Sequence, residues 1–290
     1  MTLEKQSGCK VNLLLNILCK REDGFHELET VIHPVGVFDR LTFTRAGQGI
    51  QLTCSEPSLP ADPRNLAYRA AELFLRAAKI KEGVRLHLEK RIPLAAGLGG
   101  GSANAAVTLL GLNELFGQPL APDKLQLIAA FLGSDVPFFL QSKPALATGR
   151  GEQVQQLDFF PALKGTVLLL IHPGFGISTS WAYQRLAWFP DALDGRAGRA
   201  RKLISLLQGN DANAAGKEFY NSLEVPALAK YPLLGLFQEF LRANGAAATL
   251  MSGSGSTTFA IVQGQAAAES LAEKFKARFG QTNWMALAQA

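Results

Sequence analysis

PLAAGLGGGSANAA, residues 93–106, decides how the rest of the chain is read. Gly97, Gly99, Gly100, Gly101 and Ser102 stand between a strand pattern that ends near Leu88 and a helix-forming run from Ser102 to Phe116. A backbone without side chains can come close to a ligand. At the start of a helix its N–H groups also sit at the positive end of the helix dipole. Phosphate is the expected guest. The plain alternative is a flexible connection, but a spacer does not usually place four glycines and a serine directly before strong helix formers. Two other phosphate patterns fail. No Lys-Ser or Lys-Thr follows the loop, and the third position of a dinucleotide fingerprint counted from Gly97 and Gly99 is Ser102 instead of glycine.

Upstream of this loop, Val84, Leu86 and Leu88 alternate with Arg85 and His87, which predicts a half-exposed strand with a solvated His87. Further back, Leu66, Ala70, Leu73, Phe74 and Ala77 form one helical stripe over 66–77, after breakers at Pro60, Asp62 and Pro63. Val11–Leu18 and Arg40–Thr44 have the short apolar character of strands. Downstream, Pro122 opens a helix to Leu132 that stops at Gly133, and Thr166–Ile171 reads as a strand. A helix near 233–243, a turn at Asn244 and Gly245, the segment MSGSGSTTFAIV and a last helix over 266–279 complete an α+β chain. No internal repeat is evident. The domain boundary is placed near 160, giving an N-terminal part over 1–160 and a C-terminal part over 161–290 that share a cleft.

The 290 residues are long for one domain, and 48% hydrophobic against 18% charged residues can build a substantial core. A net charge of +5 from 29 basic and 24 acidic residues is small and scattered. It suits anionic small molecules and does not identify a nucleic-acid binder. The densest basic cluster, Arg196, Arg199, Arg201 and Lys202, reads as a solvated loop leading into a helix. Cys9, Cys19 and Cys54 lack CxxC spacing, so neither a disulfide framework nor a zinc site is indicated, and a reducing, cytoplasmic setting is expected. The opening MTLEKQSGCK has no apolar run of a secretory signal. Ile92–Asn113 is uncharged, but its glycines make it a loop feeding a helix, so no membrane span is expected. Four histidines without paired spacing argue against a transition-metal centre.

The run PxxAGLGGGSxNAA resembles the phosphate loop of the galactokinase, homoserine kinase and mevalonate kinase (GHMP kinase) superfamily. Other blocks resemble its diphosphocytidyl-methylerythritol kinase branch: Cys9–Leu13, Arg21–His26, Gly133–Pro137, Ala147–Gly151 and Met251–Ser256. Together they cover residues 9–259 in the family's order. Three positions depart from the branch pattern: Cys9 for a common Ala, Phe25 for a common Tyr and Ser256 for a frequent Ala. None of these removes a reactive group.

The resemblance implies a two-domain kinase, with an N-terminal ATP-binding part and a C-terminal substrate-binding part. It implies Asp135 as the base for the attacking hydroxyl, against a plain reading of Ser134-Asp135 as a turn or cap. Lys10, at the start of a buried strand where an ammonium needs a partner, is implied to stand beside that aspartate. Asn12 shares its strand face and would orient substrate. His26 is implied to bind cytosine, while Phe25 can stack on the pyrimidine and Tyr183, after Thr179, can form the opposite wall. Pro93, Ala96, Gly97, Leu98, Gly99, Gly100, Gly101, Ser102 and Asn104 would hold ATP, with Asn65 near the adenine. Mg2+ would arrive with ATP, held by phosphate oxygens and water with help from Ser102 and no dedicated protein metal site. The expected substrate is a cytidine diphosphate conjugate of methylerythritol. No nucleic acid or membrane partner is expected, and the chain would be a monomer or weak homodimer. Two rivals remain: another superfamily kinase acting on homoserine or mevalonate, and a non-enzymatic nucleotide-binding or nucleic-acid module on a related fold. The Asp23-Gly24-Phe25-His26 block argues against the first, and the retention of Lys10 and Asp135 against the second.

Overall fold

The structure is a computed structural model and describes residues 2–290. In chain order the strands and helices are β1 (Thr2–Lys20), β2 (His26–Ala46), β3 (Ile50–Cys54), α1 (Leu66–Ala77), β4 (Gly83–Glu89), α2 (Gly100–Leu115) and α3 (Pro122–Leu132). Then come β5 (Ala145–Thr148), β6 (Gln153–Gln156), β7 (Thr166–His172), α4 (Thr179–Leu186), α5 (Pro190–Leu193), α6 (Arg199–Leu207) and α7 (Ala212–Gly216). β8 (Tyr220–Asn221), α8 (Glu224–Lys230), α9 (Pro232–Ala243), β9 (Ala248–Met251), β10 (Thr258–Gln263), α10 (Gln265–Phe279) and β11 (Trp284–Gln289) finish the α+β chain.

Contacts divide the chain into two compact units, and they do not part at a single position near 160. The first comprises residues 1–9, 37–92 and 99–142; the second comprises 10–36, 93–98 and 143–290. The reason is the length of β1 and β2, 19 and 21 residues, so each strand contributes residues to both units.

In the first unit β4 lies between β2, antiparallel with Leu41 opposite Leu88 and Phe43 opposite Leu86, and β3, which runs parallel to it. One face buries Leu41, Phe43, Leu52 and Leu86 against Ala70 and Phe74 of α1 and Leu109 and Leu112 of α2. α1 starts where the sequence spacing places it, because Asn65 caps its first turn and the buried Ala67, Ala70, Ala71 and Phe74 fall on one face. Truncating Phe74 to Ala would remove a fully buried ring, a change that costs about 3–5 kcal/mol in such cores.

In the second unit β11, β7, β10 and β9 form a four-stranded sheet. All seven residues of β7 are buried, as expected of a central strand covered on both faces. One face packs Val167, Leu169 and Ile171 on Phe237 of α9 and Phe275 of α10, whose rings meet edge to face at 4.7 Å. Elsewhere in this unit β5 pairs with β2 and β6, and β8 runs parallel to β1 with Leu14 opposite Tyr220 and Leu15 opposite Asn221.

Candidate active site

Lys10 illustrates why a charged residue sits in an apolar strand. It is only 3% exposed, where an ammonium must find acceptors. Its Nζ donates to Asn12 Oδ1 at 2.6 Å and to the Gly97 carbonyl at 3.0 Å, while its backbone N–H donates to the Leu98 carbonyl at 3.0 Å. Period-two alternation puts Lys10 and Asn12 on the same face, as the strand pattern predicts. The Asn12 amide is engaged at both ends, since its Nδ2 donates to Thr30 Oγ1 at 2.8 Å.

The glycine loop is held from below by the second glycine segment. Ser252 Oγ donates to the Gly97 carbonyl at 2.9 Å, and Thr257 N–H donates to the Ala96 carbonyl at 3.1 Å. Gly97 has φ +76°, and a Cβ there would stand 2.0 Å from the Ser252 carbonyl oxygen. Only glycine meets both conditions. Within the second unit these contacts bring Lys10, Asn12, Ala96, Gly97 and Leu98 together.

The cytosine-side residues divide into two contacts. His26 and Tyr183 have ring centroids 5.0 Å apart, whereas Phe25, 49% exposed, lies beneath the Arg150 guanidinium at 4.5 Å. His26 thus meets Tyr183 directly, while Phe25 meets Arg150. Burial, then the nearby Lys20 charge, pushes the His26 imidazole below its usual range, which favours the neutral ring. Thr179 Oγ1 and Ser254 Oγ share a hydrogen bond at 2.9 Å.

In the first unit, Gly99 caps α2 in the left-handed region with no side-chain acceptor, so the N–H groups of Gly100, Gly101 and Ser102 open the helix. The helix begins two residues before the serine at which sequence spacing places it. Asn104, one turn into α2, is buried and its Nδ2 donates to Asp39 Oδ2 at 3.0 Å and Ser7 Oγ at 2.9 Å. Asn65 accepts from Ala67 N–H at 2.9 Å and donates to the Pro60 carbonyl at 3.0 Å, so its side chain closes the start of α1. Asp135 stands partly buried in the turn after α3, followed by a short 3-10 turn at Pro137–Leu140.

Asp39 is the residue that sequence reasoning missed here. It is fully buried, its Oδ1 accepts from Arg91 N–H at 2.8 Å and Ile92 N–H at 2.9 Å, and its Oδ2 pairs with Lys90. Its sequence signal is an acid, beside Arg40, within a mostly apolar strand run. Among the described residues no three His, Cys, Asp or Glu side chains gather as a metal site, and no helix is long and apolar enough to cross a membrane.

With this geometry in place, the chain matches "GHMP kinases N terminal domain" over residues 65–143 and "GHMP kinases C terminal" over 189–281. It is therefore a GHMP kinase, an ATP-dependent phosphotransferase acting on small molecules. It is 44% identical over 259 residues to the 4-diphosphocytidyl-2-C-methyl-D-erythritol kinase of Synechococcus sp. (strain JA-3-3Ab), covering 87% of this chain and 82% of that one. It is 40% identical over 288 residues to the enzyme of that name from Desulfitobacterium hafniense (strain Y51), covering 95% and 92%. A crystal structure of 4-(cytidine 5'-diphospho)-2C-methyl-D-erythritol kinase superposes with a TM-score of 0.82 at 36% identity, over 99% of this chain and all of that one. A homoserine kinase from Cytophaga hutchinsonii shares the fold, with a TM-score of 0.78 at 19% identity, over 99% and 94%. The chain belongs to the 4-diphosphocytidyl-2-C-methyl-D-erythritol kinase family within the GHMP kinases.

Proposed function

We propose that the chain transfers the γ-phosphoryl group of ATP to the 2-hydroxyl of 4-diphosphocytidyl-2-C-methyl-D-erythritol, in the cytoplasm, as a step of non-mevalonate isoprenoid precursor synthesis. The observation that carries this reading is the close relationship to named enzymes across nearly the whole chain. The homoserine kinase likeness stands at 19% identity and speaks for the fold alone.

In the mechanism, the N–H groups opening α2 take the ATP phosphates, which need donors at a helix N-terminus. Asp135 accepts the proton of the attacking hydroxyl, and the Lys10 ammonium supplies positive charge to the reacting oxygen. The Gly97 carbonyl and Asn12 hold that ammonium in one place. The neutral His26 reads the polar edge of the cytosine, with Tyr183 beside it and Phe25 available to stack. The donor set lacks a converging acidic cluster among the described residues. Mg2+ would be held mainly by phosphate oxygens and water, with Ser102 assisting. That ion would neutralise charge on the phosphates. Binding and positioning carry most of such a transfer.

An ADP-release assay tests the proposal with 4-diphosphocytidyl-2-C-methyl-D-erythritol, homoserine and mevalonate as acceptors. Turnover is expected with the first alone. Phosphorylation of homoserine or mevalonate, together with silence on the cytidine compound, would overturn the substrate assignment and leave only the kinase.

A further inference from the structure

Asn221 has no part in the mechanism above, yet it is 2% exposed and uses its whole amide. Its Nδ2 donates to the Met251 carbonyl at 2.8 Å and to the Gly253 carbonyl at 2.7 Å, and its Oδ1 accepts from Leu223 N–H at 2.9 Å. Three residues later, Glu224 Oε1 accepts from Met251 N–H at 2.9 Å and pairs with Gln238. Burial, the largest influence on this carboxyl, pushes it above the usual range. The peptide groups of Met251–Gly253 are therefore clamped from the segment Tyr220–Glu224. Backbone carbonyls in a buried loop need such donors, but the loop so held is also the floor of the glycine loop.

The contact with that loop is close. Ser252 Oγ donates to the Gly97 carbonyl, and a Cβ on Gly253, φ +56°, would lie 2.9 Å from that same oxygen and 3.2 Å from Lys10 Nζ. The Gly97 carbonyl is in turn an acceptor for Lys10 Nζ. A continuous path of contacts thus leads from the Asn221 amide through Gly253 and Ser252 to the Lys10 ammonium. β8 anchors its far end, because Asn221 pairs with Leu15 on the strand that carries Lys10.

We propose that Asn221 is a positioning residue for phosphoryl transfer: it fixes the Gly97 carbonyl, and through it the Lys10 ammonium. The inference rests on Lys10 acting in the reaction. A purely structural staple would instead weaken folding and the affinity of every ligand, with no dependence on Lys10.

A double-variant cycle separates the two, using Asn221→Ala, Lys10→Ala and the combination, with kcat and KM for ATP and for the cytidine substrate. Lys10→Ala and the combination are followed by single turnover with labelled ATP. Asn221→Ala is expected to lower kcat about tenfold or more while both KM values stay within about threefold, since an interaction acting through a transition-state contact shows in kcat. In the Lys10→Ala background Asn221→Ala should then cost nothing further, because residues acting through one group are not additive. Ser252→Ala should show the same pattern in smaller degree, and carries the test if Asn221→Ala does not fold. Unchanged kcat in a folded variant, full additivity with Lys10→Ala, or a parallel rise of both KM values would overturn the proposal. Wild-type turnover by Lys10→Ala would instead overturn the role of Lys10, on which the proposal depends.

Discussion

Asp39 and Lys90 form a buried ion pair whose carboxylate also receives the backbone N–H groups of Arg91 and Ile92 and the amide of Asn104. One carboxylate thus ties the approach to the glycine loop at Lys90–Ile92 to the first turns of α2. Removing one member of such a pair leaves a charge buried without its partner. Asp39→Ala should therefore destabilise the protein by about 3–5 kcal/mol. Urea denaturation measures this, and a loss below about 1 kcal/mol would show that the pair is replaceable by water.

Asp135→Asn should leave the folded structure and ligand affinities intact while turnover falls about 10²-fold or more, the scale of a lost general base. Near wild-type turnover in the variant would reduce Asp135 to a turn residue.

The glycine loop offers a selective lesion at Gly101. A Cβ there meets only Leu66 at 3.8 Å, whereas at Gly100 it would meet Ile92 at 3.2 Å and Lys90 at 3.4 Å. Gly101→Val should fold and lose ATP affinity, because its side chain projects where phosphate must approach the backbone. Calorimetry with cytidine diphosphate should give an unchanged affinity. Loss of both ligands together would point to misfolding.

Phe25→Ala removes the exposed ring beneath Arg150. The KM for the cytidine substrate should rise at least about tenfold, equivalent to about 1.4 kcal/mol, with little change for ATP. Cytidine diphosphate should compete less well against the variant. An unchanged KM would leave His26 and Tyr183 as the whole cytosine contact.

His33 predicts how stability varies with pH. Burial alone pushes its imidazole down to about 4, and the ring packs on Phe160 at 6.1 Å. The unfolded chain takes up this proton near pH 6.5 and the folded chain only near 4. Below pH 6.5 the unfolded state binds more protons, so stability present at neutral pH is lost as pH falls towards 4. At about 1.4 kcal/mol per pH unit the full effect is about 3 kcal/mol. Denaturation of wild type and His33→Phe at pH 7.5 and 5.0 checks the sign: the variant should lose less stability on acidification. Equal losses would place the effect in other groups.

Some of this protein is written in local sequence. α3 occupies Pro122–Leu132 and α1 occupies Leu66–Ala77 as the spacing predicts, because proline, glycine and the Asn65 cap act over a few residues. The glycine loop is legible for the same reason, since its donors are contiguous backbone groups. β1, in contrast, begins at Thr2, well before Val11, because its exposed first half alternates with charged residues and lacks an apolar run.

Contacts distant in sequence were decided only by tertiary structure. Gly97 and Ser252, 155 positions apart, and Asp39 and Lys90, 51 apart, carry no local signal of contact. The contact of His26 with Tyr183 likewise depends on where α4 is carried by the fold. Residue types and short spacings set capping, helix starts and the chemistry available, because those forces act within a turn or two. Which carbonyl holds the Lys10 ammonium depends on strand register and close packing, where a shift of one residue would turn the side chain to the other face.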